Sequence, residues 1–373
     1  MSYPPTWDHH ITTLTPPWTP PRHHRILGAV GIVVGIIAAV ALAATVAIIA
    51  ADAGRGATVI ASIVAVVPLG LVLLAVRWLD RWEPEPKGAL LFAFLWGAGV
   101  ATLFSLIVNN SVALAVYEIT LDTRQAEFVG AIIAAPLVEE TAKGLGVVAI
   151  FLARRHYFDT PVDGVVYAAM SAGGFAFVEN ILYFGDSLDV LPQIFFLRGI
   201  MSPFAHVLFT AFIGLALGFA ARRSPSHWLT TVPLGWLIAV GLHALWNLSA
   251  FSGAFFGVYV IVQVPIFSSM VAVMAWLRRR ERVVLLQHLS EYGRAGWFAP
   301  FEVAMLTSLP ERRRARQWAA GCGREAAMKE FQRKATHLAF TRHRMVTGRA
   351  TPADVAYERH LLHQVAAARQ QLG

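Results

Sequence analysis

The segment Pro136-Leu-Val-Glu-Glu-Thr-Ala-Lys143 places two adjacent carboxylates and an ammonium group inside an apolar run from about Phe128 to Ala153. Membrane-insertion scales put an Asp, Lys or Arg at the centre of a bilayer at roughly +2.5 to +3.5 kcal/mol each, and a Glu should cost a similar amount. Three such residues in one membrane helix therefore indicate bound partners or a function. We expect the rest of the chain to hold and use this cluster.

The composition is that of a membrane protein that crosses the bilayer several times. Of the 373 residues, 56% are hydrophobic and 14% are charged, and the mean hydropathy is +0.56. These values exclude a soluble globular fold. Cys322 is the only cysteine, so the chain can form neither an internal disulfide nor a cysteine-based zinc site.

We predict an all-α fold with about eight transmembrane helices. Eight apolar runs are each long enough to cross ~30 Å of hydrocarbon at ~1.5 Å per residue. The runs cover about 26–50, 57–79, 88–117, 128–153, 161–184, 192–221, 228–250 and 254–277.

The joints between these runs alternate in charge, which predicts by the positive-inside rule that both termini are cytoplasmic. The opposite joints are poor in Lys and Arg, and the one at 118–127 is acidic. The turn at 80–86 is compact, and its two prolines predict a helix stop. The basic joints contain Arg22 and Arg25; Arg77, Arg81 and Lys87; Arg154 and Arg155; Arg222 and Arg223; and Arg278, Arg279, Arg280 and Arg282.

Three regions follow from this organisation. Residues 1–25 are rich in Pro, Thr and His and are predicted to be a disordered cytoplasmic arm. Residues 26–277 form the transmembrane domain. Residues 278–373 hold 18 Lys/Arg against 8 Asp/Glu and are predicted to be a helical cytoplasmic domain. Its basic character suggests anionic lipid headgroups or simply the cytoplasmic side, and no nucleic acid is expected because no binding motif accompanies the charge.

Polar residues in four predicted spans lie at similar depth. At ~1.5 Å per residue, Glu139, Glu179, His206 and His243 all fall roughly 20–27 Å above the cytoplasmic boundary. Carboxylates and imidazoles that converge in a membrane are the default signature of an active site. The competing interpretation is structural, because histidines and asparagines also form hydrogen bonds between membrane helices.

Helical spacing adds supporting residues. Lys143 follows Glu139 by four positions and Glu140 by three, so it can reach either carboxylate. Asn247 follows His243 by four and could fix the imidazole or stabilise a developing oxyanion. Asn180 could form a hydrogen bond between helices, and Arg198 could extend to the membrane surface. We expect Thr210 to serve helix packing, as do the glycines Gly173, Gly174, Gly214 and Gly218.

Several motifs resemble the PrsW family of intramembrane proteases over about residues 60–275. They are Glu139-Glu140-Thr-Ala-Lys143, Asp163-Gly-Val-Val-Tyr167, Gly174-Phe175-Ala-Phe-Val-Glu179-Asn180, His206, His243-Ala-Leu-Trp-Asn247 and the turn Asp80…Glu83-Pro-Glu-Pro86. The family is usually classed among metallopeptidases and is distantly similar to CAAX-prenyl proteases, in which glutamate activates water and histidines or asparagine stabilise the oxyanion. Its founding members cleave an anti-sigma factor.

By this resemblance Glu139 and Glu140 match the family's glutamate pair, Glu179 its FxxxE position, and His206 and His243 its two histidines. We expect a catalytic set of Glu139, Glu140, His206, His243 and Asn247, with Lys143, Asn180 and Arg198 in support. Two versions remain open. In one, Zn²⁺ binds to Glu179, His206 and His243 and a remaining glutamate is the base. In the other, a glutamate activates water without a metal, and the chain has no His-Glu-x-x-His signature. Either of the paired glutamates could be the base.

The expected substrate is a single-span membrane protein cut within or beside the bilayer, such as an anti-sigma-factor-like regulator, and the other expected partners are membrane lipids. The resemblance and the Ala- and Arg-rich composition suggest the inner membrane of a bacterium. The alternative is a proton- or ion-coupled transporter that uses the buried Glu, Lys and His residues. Against it, the chain shows no inverted repeat and no matched pair of broken helices.

Overall fold

The structure is a computed structural model that describes residues 23–154, 158, 160–221, 226–350 and 352–373. Every regular element in these ranges is helical, so the all-α prediction is confirmed. Within these ranges, seven helices are long and apolar enough to cross a membrane. They are Val30–Asp52, Arg55–Leu79, Lys87–Thr120, Pro161–Asp186, Leu188–Ala221, Trp228–Phe251 and Phe255–Arg294.

The fourth predicted span, about 128–153, is also a helix, but its charged residues separate it from those seven. Residues 123–154 are helical throughout, with a π-helical segment at Val129–Ala134. This helix carries Glu139, Glu140 and Lys143, all of them buried. It is therefore enclosed by other helices along the face that bears the charges, as polar residues in a membrane require.

We number the α-helices in chain order. Three of the candidate spans, like the helix at 123–154, are interrupted by a π-helical segment, at Trp96–Ala101, Phe196–Met201 and Tyr259–Gln263. The helices are α1 His23–Asp52, α2 Arg55–Leu79, α3 Lys87–Leu95, α4 Thr102–Thr120, α5 Thr123–Phe128, α6 Ala135–Arg154, α7 Pro161–Asp186, α8 Leu191–Phe195, α9 Ala205–Ala221, α10 Trp228–Phe251, α11 Phe255–Val258, α12 Val264–Arg294, α13 Pro300–Leu306, α14 Leu309–Gly321, α15 Glu325–Arg344 and α16 Pro352–Gln370.

Helix α7 is the centre of the membrane bundle and packs most extensively on α2 and α9. It begins at Pro161, where Thr160 and Asp163 cap its first turn reciprocally. Backbones approach closely because glycines, which have no side chain, lie at the contacts. A Cβ added at Gly214 would lie 2.3 Å from the carbonyl oxygen of Gly164, and one added at Gly174 would lie 2.2 Å from that of Phe94. The predicted packing role of the glycines is therefore correct.

The turn between α2 and α3 is a helix stop, as predicted, and it is also a packed structure. The backbone N–H of Glu85 donates to both carboxylate oxygens of Asp80, at 3.0 and 3.1 Å. Glu85 is itself buried and accepts a 2.5 Å hydrogen bond from the hydroxyl of Tyr167 on α7. The turn is thus anchored to the central helix.

Contacts divide the chain into two compact units, Arg25–Glu281 and a second unit that includes Arg282–Gly373. The second unit has its own apolar core, with Phe331, Leu338 and Phe340 on α15 fully buried. The assignment of residues 1–25, 26–277 and 278–373 to an arm, a protease domain and a cytoplasmic domain stays a prediction. Residues 1–22 of the arm, and Arg155, Arg222 and Arg223 of the basic joints, lie outside the described residues.

Candidate active site

Glu140 is the fully buried and fully bonded member of the carboxylate pair. One of its oxygens lies 2.6 Å from the ammonium nitrogen of Lys143 and 3.0 Å from Nδ1 of His243. The other oxygen accepts a 2.8 Å hydrogen bond from the hydroxyl of Thr210. Glu140 therefore joins α6, α9 and α10, and its geometry suits an orienting role.

Glu139, in contrast, lines a cavity and can accept more hydrogen bonds than it does here. Its Oε1 accepts a 3.3 Å hydrogen bond from the amide of Asn109 on α4. Its Oε2 is buried and has no hydrogen-bond partner among the described residues. That oxygen lies 3.8 Å from Lys143 Nζ and 3.8 Å from Nε2 of His243. A buried carboxylate oxygen without a donor is rare and calls for a partner that the folded chain does not supply.

Lys143 supplies the positive charge at the centre of the site and is completely buried. Besides Glu140, its ammonium group contacts Nδ1 of His206 at 3.1 Å and lies 4.3 Å from the centre of the Phe175 ring. The spacing prediction that Lys143 reaches both carboxylates agrees with these distances. An ammonium group has only donors, so Nδ1 of His206 is the acceptor in that contact.

A second ion-pair network stands behind His206. Nε2 of His206 lies 2.7 Å from Oε2 of Glu179, and the guanidinium of Arg198 contacts the same oxygen at 2.5 Å. Arg198 also donates to the side-chain oxygen of Asn180 at 2.9 Å. Arg198 is thus held inside the protein by α7, and it does not act as a membrane-surface anchor. Since Nδ1 of His206 accepts from Lys143, its Nε2–H donates to Glu179.

His243 presents a lone pair to Glu139. Glu140 is paired with Lys143, so Nδ1 of His243 carries the hydrogen that Glu140 accepts and Nε2 is left as an acceptor. Two acceptors, Nε2 and Oε2 of Glu139, then face each other at 3.8 Å. This arrangement suits a water molecule or a cation between them.

The structure groups a different metal-ligand set from the predicted one. Potential ligand atoms of Glu139, His206 and His243 all lie within 4.8 Å of one another. The predicted set had Glu179 in place of Glu139. Glu179 is instead engaged by His206 and Arg198, which leaves it as a partner of a ligand. The set of two nitrogens and one oxygen fits a zinc ion chemically, since Oε2 of Glu139 has no hydrogen-bond donor in the part of the chain that the structure describes.

Asn247 lines the same cavity but does not orient His243. Its amide nitrogen donates to the carbonyl oxygen of Ala131, at 2.7 Å, in the π-helical segment before α6. Two residues in the site were not anticipated in these roles. Thr210, expected to serve packing, bonds to Glu140, and its only sequence signal was its position four residues after His206. Asn109 bonds to Glu139, and no spacing pointed to it.

The site opens into a cavity of about 520 Å³ within the membrane unit. Residues from α1, α4, α5, α6, α7, α9 and α10, and from the π-helical segments at Val129–Ala134 and Phe196–Met201, line it. Glu139, Glu179, Arg198, His206, His243 and Asn247 all border this space. A smaller apolar cavity of about 270 Å³ shares Trp246 with it and lies against α9 and α12. The predicted convergence of four helices therefore places the polar side chains of the site along one cavity.

The chain is similar to one protein family over the region that holds this site. The family described as PrsW family intramembrane metalloprotease matches residues 85–270, a range that contains every site residue named above. No solved structure matches the chain.

Curated relatives agree with the family match. The chain is 31% identical to Protease PrsW of Clostridioides difficile over 41% of this chain and 62% of the relative, and 33% identical to Protease PrsW of Geobacillus kaustophilus over 41% and 65%. It is 29% identical to Protease PrsW of Oceanobacillus iheyensis over 48% of this chain and 77% of the relative. The chain thus spans less than two thirds of the length of the first two relatives.

Proposed function

Because the chain belongs to the PrsW family, we propose that it is a bacterial intramembrane endopeptidase that hydrolyses peptide bonds of membrane-embedded or juxtamembrane substrates. One observation carries the proposal: Glu139 lines a cavity beside Nε2 of His243, and its buried Oε2 has no hydrogen-bond partner among the residues that the structure describes. The relatives give no support to the transporter alternative.

In the proposed mechanism Glu139 is the general base. Its Oε2 takes a proton from a water molecule while the water oxygen attacks the carbonyl carbon of the substrate. His243, oriented by Glu140 through Nδ1, holds the same water through Nε2. The negative charge that develops on the carbonyl oxygen is stabilised by donors around the cavity. Glu139 then gives the proton to the leaving nitrogen, which releases the amine.

Three groups can stabilise that oxygen. The ammonium of Lys143 and the guanidinium of Arg198 supply positive charge, and Asn247 supplies an amide at the cavity wall. His206 links the two cations, because its two nitrogens contact Lys143 and Glu179. Preorganised charge in a site without bulk water is the strongest form of such stabilisation.

A metal ion would be held by Glu139, His206 and His243, with Glu140 and Glu179 supporting the two histidines. Bound Zn²⁺ would polarise the substrate carbonyl and lower the pKa of a bound water molecule. Glu140 would then be the remaining carboxylate near the water. In this structure Nδ1 of His206 receives the ammonium of Lys143, so metal binding at that nitrogen requires Lys143 to move.

The proposed substrate is a single-span membrane protein, such as a regulatory protein of the anti-sigma-factor type. A segment that crosses the bilayer reaches a site enclosed by helices without leaving the lipid, whereas a soluble protein does not.

The test compares membrane fragments in a bacterium that expresses the wild type, Glu139→Gln or Glu140→Gln. Mass spectrometry of new protein termini should find fragments of a single-span protein with the wild type alone. Cleavage that persists in both variants contradicts the proposed mechanism, and the absence of any wild-type fragment contradicts the proposed function. Dialysis of the purified protein against a chelator, followed by Zn²⁺ addition, separates the two versions: full activity in metal-free protein excludes the zinc version.

A further inference from the structure

Helix α4 presents a polar face to the cavity that the mechanism above does not use. Thr102, Ser105 and Asn109 follow one another at intervals of three and four residues, so they lie on one side of the helix. All three line the cavity. The side chains between them are largely apolar, as a helix in a membrane requires.

Ser105 has an unused hydroxyl in this polar face. Its side chain is 2% exposed, and its oxygen has no hydrogen-bond partner within the described ranges. Other hydroxyls on α4 behave differently, because Thr102, Ser111 and Thr120 each donate to a carbonyl four or five residues earlier. Donation of this kind satisfies a hydroxyl inside a helix without outside help. Ser105 is thus left available to another group.

Asn109 is only half used. Its amide nitrogen donates to Glu139, while its side-chain oxygen is buried and has no hydrogen-bond partner in the described part of the chain. A donor at Ser105 and an acceptor at Asn109 therefore lead along α4 to the proposed base. Unsatisfied polar groups are costly in apolar surroundings and indicate a partner that arrives from outside.

The partner that fits is a peptide main chain. A substrate span enters as a helix, and its scissile bond becomes accessible only when the helix unwinds locally. The freed N–H and C=O groups then need protein partners, because the bilayer supplies no water. Ser105 and Asn109 are separated by about 6 Å along the helix. This distance is close to the spacing of about 6.7 Å between alternate residues of an extended chain.

We propose that Ser105 and Asn109 bind the main chain of the unwound substrate segment and guide it to Glu139. The serine hydroxyl donates to a substrate carbonyl oxygen, and the asparagine oxygen accepts a substrate N–H two residues away. This inference rests on the proposed endopeptidase function and names the conformation of the substrate that the site takes.

The test uses the single-span protein whose fragments appear with the wild type, prepared as a synthetic peptide that covers its membrane segment and reconstituted in liposomes. Ser105→Ala should raise KM about 5- to 10-fold with kcat unchanged, because a binding contact is lost. Ser105→Thr should restore KM. Ser111→Ala, on the same helix but exposed and bonded to Ile107, is the matched control and should leave both constants unchanged.

The second measurement replaces single amide bonds of the peptide by esters around the cleavage site. Each ester removes one N–H. At one position the ester should raise KM for the wild type but not for Asn109→Ala, which has already lost the acceptor. Equal ester effects on both proteins, or an unchanged KM for Ser105→Ala, overturn the inference while cleavage by the wild type leaves the proposed function intact. Failure of the wild type to cleave the peptide would instead contradict both the inference and the proposed function.

Discussion

Glu139 and Glu140 are neighbours in sequence with opposite environments. Glu140 is bonded to Lys143, His243 and Thr210, whereas Glu139 borders the cavity and has, among the described residues, only Asn109 as a hydrogen-bond donor. The pair thus divides into an orienting carboxylate and a reacting one. Substitution should separate these roles, because one change removes chemistry and the other also removes structural bonds.

Glu139→Gln should lower the cleavage rate by roughly 10²- to 10⁴-fold, the range for loss of a general base, with little change in thermal unfolding. Glu140→Gln should also lower the rate, and it should destabilise the protein by about 3–5 kcal/mol because buried Lys143 loses its closest anion. Thermal unfolding and cleavage assays on both variants check this difference. Similar unfolding temperatures for the two variants would contradict the division of roles.

Lys143→Met should make the unfolding temperature of the protein depend more strongly on Zn²⁺. The substitution removes the ammonium from Nδ1 of His206 and leaves Glu140 without its cation, so metal-free protein should unfold at a lower temperature. Zn²⁺ should raise the unfolding temperature more in this variant than in the wild type, because bound ligand stabilises the folded state and the histidine nitrogen is free. Lys87→Met, at an exposed residue, is the control. An equal rise of the unfolding temperature with Zn²⁺ in Lys143→Met and in the wild type would exclude competition between Lys143 and a metal.

The sequence identified most of the ionisable site residues because charges in apolar runs are conspicuous. Glu139, Glu140, Glu179, His206 and His243 could all be found in this way. Thr210 and Asn109 could not, since hydroxyls and amides are common in membrane helices and carry no cost that marks them. The metal-ligand set also differed, because depth along a helix does not say which carboxylate an arginine from another helix will engage. Arg198 engages Glu179 and leaves Glu139 to the histidines.

At the scale of elements, the site depends on the close packing of α7 against α9. Gly214→Ala should destabilise the protein by about 1–3 kcal/mol, because the added Cβ would meet the backbone of Gly164. Gly70→Ala on α2 is the matched control: its Cβ meets nothing within 4 Å, and the change should be neutral or slightly stabilising. Thermal unfolding of both variants measures the difference. A stable Gly214→Ala protein would show that the two helices can separate at little cost.

The turn between α2 and α3 should make stability depend on pH. Burial raises the pKa of Asp80 to about 7, with the charge of Asp163 adding to the effect and the backbone N–H of Glu85 opposing it. Burial also raises the pKa of Glu85 well above its usual range. The unfolded chain therefore releases these protons at lower pH than the folded chain. The contribution of Asp80 to the free energy of unfolding should therefore fall as the pH rises from about 4 to about 7 and should stay constant above that range.

Asp80→Asn removes one of these two groups and should make that fall shallower. The drop in unfolding temperature from pH 5 to pH 8 should be smaller in this variant than in the wild type, by at least ~2 °C. Asp189→Asn, in the joint after α7, is the control and should retain the wild-type slope. An unchanged slope in Asp80→Asn would mean that the turn does not titrate in this range.

The sequence predicted the helix boundaries where apolar runs meet polar joints, but it did not predict the π-helical segments. Each π-helical segment inserts a residue into the hydrogen-bond pattern without an obvious composition signal. The segment at Val129–Ala134 precedes α6 and supplies the carbonyl that Asn247 binds. This contact explains why the four-residue spacing of His243 and Asn247 did not predict the partner of the amide.

For the whole molecule, the charge of the joints predicts that residues 278–373 are cytoplasmic. Cys322 is exposed and is the only cysteine in the sequence, so it is a natural reporter. A membrane-impermeant maleimide should label it only after the cells are permeabilised. In a Cys322→Ser background, Ser252→Cys in the opposite joint should be labelled in intact cells. Labelling of Cys322 in intact cells would reverse the predicted orientation.

Helix α7 is the least apolar of the seven candidate spans and the most enclosed. In its most apolar stretch 78% of the residues are buried, against 17% for α10. Its surroundings in the finished protein are other helices, above all α2 and α9. During synthesis α7 leaves the ribosome before α9 does, so for that interval it lacks the neighbour that packs against Gly164. The packing of α7 is therefore completed only after α9 has been synthesised, and a ribosome stalled between the two would leave α7 incompletely buried.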